Sequence, residues 1–228
     1  MSKFLPHLEI LPPAQLRLWH ELDQVPPEFT LYGGTAIALQ LGHRQSVDFD
    51  FFGNRPFDPT NLQSSIPFLA KARVLQRERN TLTATLDREG HVTVSFFGVP
   101  HLPRLLLPVV SGDNGLKVAS LLDLAGTKAS VVQVRPERKD YLDLDVLITK
   151  GGITLPMALT AAQALYGAAF NPQITLKALS YFEDGNLRYL SEDAKMRLAT
   201  AARDVDLDHL PGLKHLIGEK ARGDDLGL

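Results

Sequence analysis

The sequence predicts an α+β protein, a sheet-bearing N-terminal part followed by a helical C-terminal part, on three observations. Segments that alternate apolar and polar residues crowd the first half of the 228 residues. From Lys117 onward the apolar spacing changes to that of helices. Between the two, "SGDNG" near Ser111 gathers turn-forming residues and is expected as the joint, which gives a sheet domain over 1–112 and a helical domain over 113–228.

Leu16, Trp19 and Leu22 share one helical face, so Ala14 to Leu22 is expected as a first helix, closed by Pro26 and Pro27. "EFTLY" reads as a short strand running into Gly33 and Gly34, and "TAIALQLG" as a helix with Gly42 at its end. "SVDFDFF" is the next strand. Leu62 to Ala70 is expected as a helix, and "KARVLQRE", "TLTATLD" and "HVTVSFFG" as three consecutive strands, with turns at "RERNT" and "DREG". Four helical stretches follow: "VASLLDLAGTKASVVQ", "RPERKDYLDLDVLITK", "LPMALTAAQALYGAAF" and "PQITLKALSYFEDG". The tail "KARGDDLGL" is expected to fray.

Composition narrows the function classes. An apolar content of 44% is enough for a sizeable core, and a net charge of -2 gives no global attraction to polyanions. With no cysteine the chain has no disulfide, thiolate metal ligand or thiol nucleophile. Neither a signal peptide's apolar run nor a stretch of roughly 18 apolar residues is present, so the expected location is cytoplasmic, without a membrane partner.

The chemistry concentrates in "LYGGTAIALQLGHRQSVDFDFFG", Leu31 to Gly53. Glycines at a strand-to-helix turn let backbone amides approach a ligand, and the partial positive charge of a helix N-terminus suits phosphate oxygens. Small residues at such a turn equally serve packing. Asp48 and Asp50 point to one face of their strand while Phe49 and Phe51 point to the other, so both carboxylates come within reach of one hard cation. Two like charges there require a compensating metal or cationic group, unless Arg44 and solvent suffice. Gly33, Gly34 and Thr35 followed by Asp48 and Asp50 thus describe a site for a metal-bound nucleoside triphosphate. Arg44 and Ser46 fall between the two elements, where a cation and a hydroxyl can serve phosphate or the aspartates. His43 reads as packed or capping, and Asp87 and Glu89 as solvated turn residues.

"LYGGTAIALQLGHRQSVDFDFF" resembles the signature of the AbiEii/AbiGii toxin family of nucleotidyltransferases, members of the polymerase β-like nucleotidyltransferase superfamily. "VSFFG", "VASLLDLAGTKASVV", "RKDYLDLDVLI" and "LKALSYFEDG" resemble further blocks of the family in the expected order, so the likeness runs over roughly 29–184. It implies a nucleotidyltransferase-type mixed sheet with flanking helices, and a Mg2+-dependent enzyme that moves a nucleoside monophosphate from an NTP to an acceptor. Members of the family modify tRNA acceptor ends, and membership implies a toxin paired with a cognate antitoxin.

Residue by residue, the resemblance gives Gly34 and Thr35 to the triphosphate and Asp48 and Asp50 to the metal. Lys128 is implied to contact nucleotide phosphate, and Lys139, Asp140 and Asp143 to lie near the same site. Read alone, Lys128 is as readily a solvated lysine, and Lys139 with Asp143 an ordinary surface pair at helical spacing. Ser95 stands where the superfamily commonly carries a third carboxylate, which leaves the general base unassigned unless Asp140 or Asp143 supplies it. That departure supports an alternative, a catalytically silent NTP-binding regulatory protein of the same fold; a purely partner-binding domain is the third possibility. Lys71, Arg73, Arg77 and Arg79 make a basic strand that meets either an RNA backbone or water.

Overall fold

The structure is a computed structural model, and it describes residues 2–218. The tail 220–228 lies outside them. The chain divides into two compact units, one comprising 1–103 and 108–119, the other 104–107 and 120–228.

The first unit is built on a mixed sheet of β1 (Lys3–Phe4), β2 (Phe29–Tyr32), β3 (Asp48–Gly53), β4 (Arg73–Glu78), β5 (Thr81–Asp87), β6 (His91–Gly98), β7 (Val109–Ser111) and β8 (Lys117–Val118), in the order β1-β7-β8-β2-β3-β6-β5-β4. α1 (Pro13–Trp19) packs against β6, α2 (Gly33–Leu41) against β2 and β3, and α3 (Pro59–Ser65) against β5. Alternation along the central strands is complete: Phe49, Phe51, Leu82, Ala84, Val94 and Phe96 are wholly buried, and Phe51 stacks on Phe96 with ring centroids 5.1 Å apart. Burying apolar surface at roughly 25 cal/mol per Å2 makes this face the source of the unit's stability.

Several expected boundaries shift for local reasons. The first helix stops at Trp19 and the chain continues as a 3-10 turn at Leu22–Gln24. Pro67 has no N–H to donate, so the helix expected up to Ala70 breaks after Ser65 and resumes as a 3-10 turn, Pro67–Leu69. "SGDNG", expected as the joint, is the turn between β7 and β8, where Trp19 Nε1 donates to Asp113 Oδ2 at 2.7 Å. Apart from the excursion over 104–107, the chain passes to the second unit after Ala119.

The second unit contains α4 (Leu121–Val131), α5 (Arg138–Thr149), α6 (Leu155–Tyr166), α7 (Pro172–Ala178) and α8 (Glu192–Arg203). α4 packs on α5 and α6, and α8 on α5 and α7. Arg197 of α8 grips Asp145 of α5 through two hydrogen bonds of 2.8 and 2.6 Å. Ser120 caps α4, its Oγ accepting from the Asp123 N–H, and the buried Asp123 carboxylate in turn accepts from the Leu105 N–H at 2.8 Å, the Leu106 N–H at 3.1 Å and the Ser120 hydroxyl at 2.5 Å. Residues 104–107 are thereby fastened to the helices. No helix among the described residues is long and apolar enough to cross a membrane.

Candidate functional site

In the first unit, β2 delivers the chain directly into α2. Gly33 adopts φ +75, a left-handed conformation that disfavours every residue with a side chain, and a Cβ there would lie 3.3 Å from Asp50 Oδ2. The glycine therefore lets the start of α2 sit against the Asp50 carboxylate. The N-cap residue Tyr32 makes no side-chain cap hydrogen bond to this nine-residue helix, and the amides of its first turn carry the partial positive charge that suits an anion. Gly42, at φ +63, ends α2; a Cβ there would meet the His7 ring at 2.8 Å.

β3 pairs antiparallel with β2 and parallel with β6. Asp48 is exposed and Asp50 half-buried on one face, with Phe49 and Phe51 in the core on the other. Thr35 Oγ1 donates to the Asp48 carbonyl at 2.5 Å. A hydroxyl has one proton, so in the 2.7 Å contact between Thr35 and Ser46 it is Ser46 that donates. Both hydroxyls are buried and hold the start of α2 to the root of β3. Thr35 and Ser46 are expected at the ligand, and in the structure each hydroxyl has a partner within the protein. Arg44 is half-buried and donates to the Gln45 carbonyl at 2.9 Å.

Ser95 pairs in register with Asp50, and Thr93 with Asp48. Ser95 is 6% exposed, and Thr83 of β5 donates to its Oγ at 3.4 Å. The third position thus carries a hydroxyl. No group of three or more metal-ligating side chains occurs among the described residues. Two carboxylates on one face of one strand, one of them exposed and the other half-buried, nonetheless fit Mg2+, which commonly takes one or two protein carboxylates and completes its shell from substrate and water.

The residues expected from the second half form a cluster of their own inside the second unit. Lys128 Nζ lies 2.6 Å from Asp140 Oδ1 and 2.7 Å from Asp143 Oδ2, and Arg135 Nε lies 2.7 Å from Asp140 Oδ2. Asp140 and Asp143 are 0% exposed and Lys128 5%, so two buried carboxylates are neutralised by a buried lysine and by Arg135, which reaches the surface. Lys128 is therefore a buried ion-pair partner, and neither a solvated lysine nor half of a surface pair. Lys139 points out to Glu137 at 3.2 Å, and the surface pair of Lys139 with Asp143 does not form. Tyr141, next to Asp140, has its phenol pushed up to about 12, chiefly by burial.

The basic strand is also divided. Arg73 pairs with Thr85, whereas Arg77 pairs with Leu82, because a bulge between Val74 and Gln76 reverses the alternation. Arg77 consequently lies on the core face, where it donates to Thr60 Oγ1 at 2.9 Å and to Gln63 Oε1 of α3.

A mixed sheet entering a helix at a glycine turn, with two same-face aspartates on the next strand, defines the nucleotidyltransferase class. Two solved structures share the fold. A protein from H. pylori described as a nucleotidyltransferase aligns over 92% of this chain and 95% of its own at TM-score 0.54 and 16% identity. MenT4, a nucleotidyltransferase toxin from Mycobacterium tuberculosis H37Rv, aligns over 92% and 88% at TM-score 0.57 and 13% identity. An uncharacterized protein of Aquifex aeolicus strain VF5 is 35% identical over 159 residues, 69% of this chain and 75% of that protein. Residues 17–210 match the family model described as nucleotidyl transferase AbiEii toxin of a type IV toxin–antitoxin system. The chain belongs to that family and is a nucleotidyltransferase.

Proposed function

We propose that this enzyme transfers a nucleoside monophosphate from an NTP to an acceptor hydroxyl, with RNA such as tRNA as the acceptor class, and acts as the toxin of a pair whose antitoxin is a separate protein. The observation that carries this reading is the bare Gly33 backbone against Asp50, which brings the N-terminal amides of α2 beside the two same-face carboxylates. Asp48 and Asp50 would hold Mg2+, which when bound supplies positive charge against the triphosphate oxygens. The first-turn amides of α2 bind and orient the phosphates, while Thr35 and Ser46 fix the distance between those amides and β3. The acceptor oxygen bonds to the α-phosphorus, the bond to the β-phosphate oxygen breaks, and pyrophosphate departs. The hydroxyl proton leaves to solvent, since Ser95 puts no acid at the third position. The expected catalytic parts of Lys128, Lys139, Asp140 and Asp143 stay proposals, to be separated from the cluster's structural part by measuring transfer per folded molecule.

The test is transfer of label from each NTP to total tRNA with Mg2+. Asp48→Ala and Asp50→Ala each remove several kcal/mol of charge stabilisation, so labelling falls on the order of 100-fold or more while the fold persists. Undiminished labelling by Asp48→Ala sinks the assignment. NTP at about 100 times its dissociation constant raises the stability by about 2.7 kcal/mol. That rise without transfer to any acceptor returns the silent NTP-binding reading, which Ser95 favours.

A further inference from the structure

The sheet face that carries Asp48 and Asp50 continues as two polar rows to the edge of the first unit. In one, Asp48 pairs with Thr93, Thr93 with Thr85 and Thr85 with Arg73; in the other, Asp50 pairs with Ser95, Ser95 with Thr83 and Thr83 with Gln76. Cross-strand partners point to the same side, so each row is a line of hydroxyls ending in a cation or an amide. Thr83, Thr85 and Thr93 are half-exposed and Arg73 and Gln76 are exposed, so the Asp48 row is open to a ligand along its length, while the other row is closed at the buried Ser95. The opposite face of the same strands is solid core.

Arg73 owes its place to the bulge. Without the irregularity between Val74 and Gln76, Arg73 and Arg77 would share a face, and both would be drawn to α3 or both to the polar side. With it, Arg77 is committed to Thr60 and Gln63, while Arg73 stands at the end of the Asp48 row and, among the described residues, has no hydrogen-bond or carboxylate partner. A bulge that sends one arginine of a pair to the carboxylate face places a cation there that the fold itself does not use.

We infer that this face is the track on which the acceptor strand lies, and that Arg73 takes one of its backbone phosphates. The inference rests on the proposed transfer to RNA and adds where the acceptor is held. Three strand spacings of about 4.8 Å put Arg73 about 14 Å from Asp48. A strand stacked at about 3.4 Å per nucleotide crosses that interval in about four steps. Hydroxyls from Thr85 and Thr93 suit the sugar and phosphate oxygens between, and neither of them reads a base. The surface therefore favours a polynucleotide of a minimum length over a nucleotide or a protein side chain, and it is indifferent to sequence.

Binding of mixed-sequence single-stranded RNA oligonucleotides, from about two to about ten nucleotides, is measured against salt concentration for the wild type, Arg73→Ala and Arg77→Ala. Loss of one phosphate contact lowers the slope of log affinity against log salt by about 0.7. Arg73→Ala shows that decrease for oligonucleotides longer than about four nucleotides and none for shorter ones. Arg77→Ala keeps the wild-type slope at every length, because its guanidinium faces α3. Equal slopes for wild type and Arg73→Ala, or an equal decrease in both variants, overturn the track. Label transferred to protein with no RNA bound overturns it too. A decrease confined to Arg73→Ala, with no transfer of label to any RNA, upholds the surface and removes the transfer reading instead.

Discussion

Asp48 and Asp50 on β3 and Asp140 and Asp143 on α5 are both pairs of neighbouring carboxylates on one side of an element, and their surroundings are opposite. The strand pair is exposed to half-buried, beside the N-terminus of α2. The helix pair is wholly buried, with Lys128 between its members and Arg135 on Asp140. A buried carboxylate persists only if cations or donors within the protein answer its charge, whereas one left at the surface can take its cation from outside. Two aspartates near each other in sequence are therefore no sign of a metal site by themselves; what distinguishes the two pairs is that the helix pair is wholly buried on its own cations while the strand pair reaches water.

The largest break in that contrast comes from Lys128→Met. It removes the cation between two buried carboxylates and leaves an uncompensated charge, which costs about 3 to 5 kcal/mol in urea unfolding. Asp48→Ala, at the open pair, changes stability by no more than about 0.5 kcal/mol in the same experiment. Equal losses would mean that the strand pair is as internally compensated as the helix pair. Transfer activity of Lys128→Met, normalised to folded protein, then separates a structural lysine from a reacting one.

Thr35→Val comes next. It keeps the shape of the side chain but removes the hydroxyl that joins Ser46 to the Asp48 carbonyl, and leaving those groups unmet costs about 1 to 3 kcal/mol. Both carboxylates remain, so a fall in transfer with a higher demand for Mg2+ assigns Thr35 to positioning them. Thr35→Ser retains the hydroxyl and restores both; failure of that rescue would place the effect in packing.

Strong local patterns carried most of the first unit. The alternation over Thr81–Asp87 and His91–Gly98 coincides with β5 and β6, and the same-face placement of Asp48 and Asp50 follows from strand geometry alone. β1, β7 and β8 are two or three residues long, too short for any period to register, and they exist through pairing with distant strands. The bulge left a trace in the adjacent apolar residues Val74 and Leu75, yet its consequence, that Arg73 and Arg77 part company, depends on register with β5. α8 was legible and missed: Ser191 caps it, Glu192 and Asp193 open it and Arg203 closes it. The burial of Lys128 was not legible, because it arises where α4 meets α5 and two acids on the second helix converge on one ammonium of the first.

Asp123 sharpens the contrast with the smallest effect, since it is a buried carboxylate answered chiefly by neutral donors, with the Arg104 charge as a lesser contribution. Burial raises its pKa, and the hydrogen bonds from Ser120, Leu105 and Leu106 pull the other way without cancelling the shift. A carboxylate raised in the folded state binds a proton there more tightly than in the unfolded chain. Its contribution is therefore fully present below the unfolded value and is lost as pH rises through the folded value. Asn cannot titrate, so the stability of the wild type relative to Asp123→Asn declines through that window and is level above it. Urea unfolding of the two proteins across the carboxylate range measures the decline. A difference that grows with pH would show that the three donors outweigh burial, making Asp123 a dipole-held anion that needs Lys128's kind of partner no more than Asp48 does.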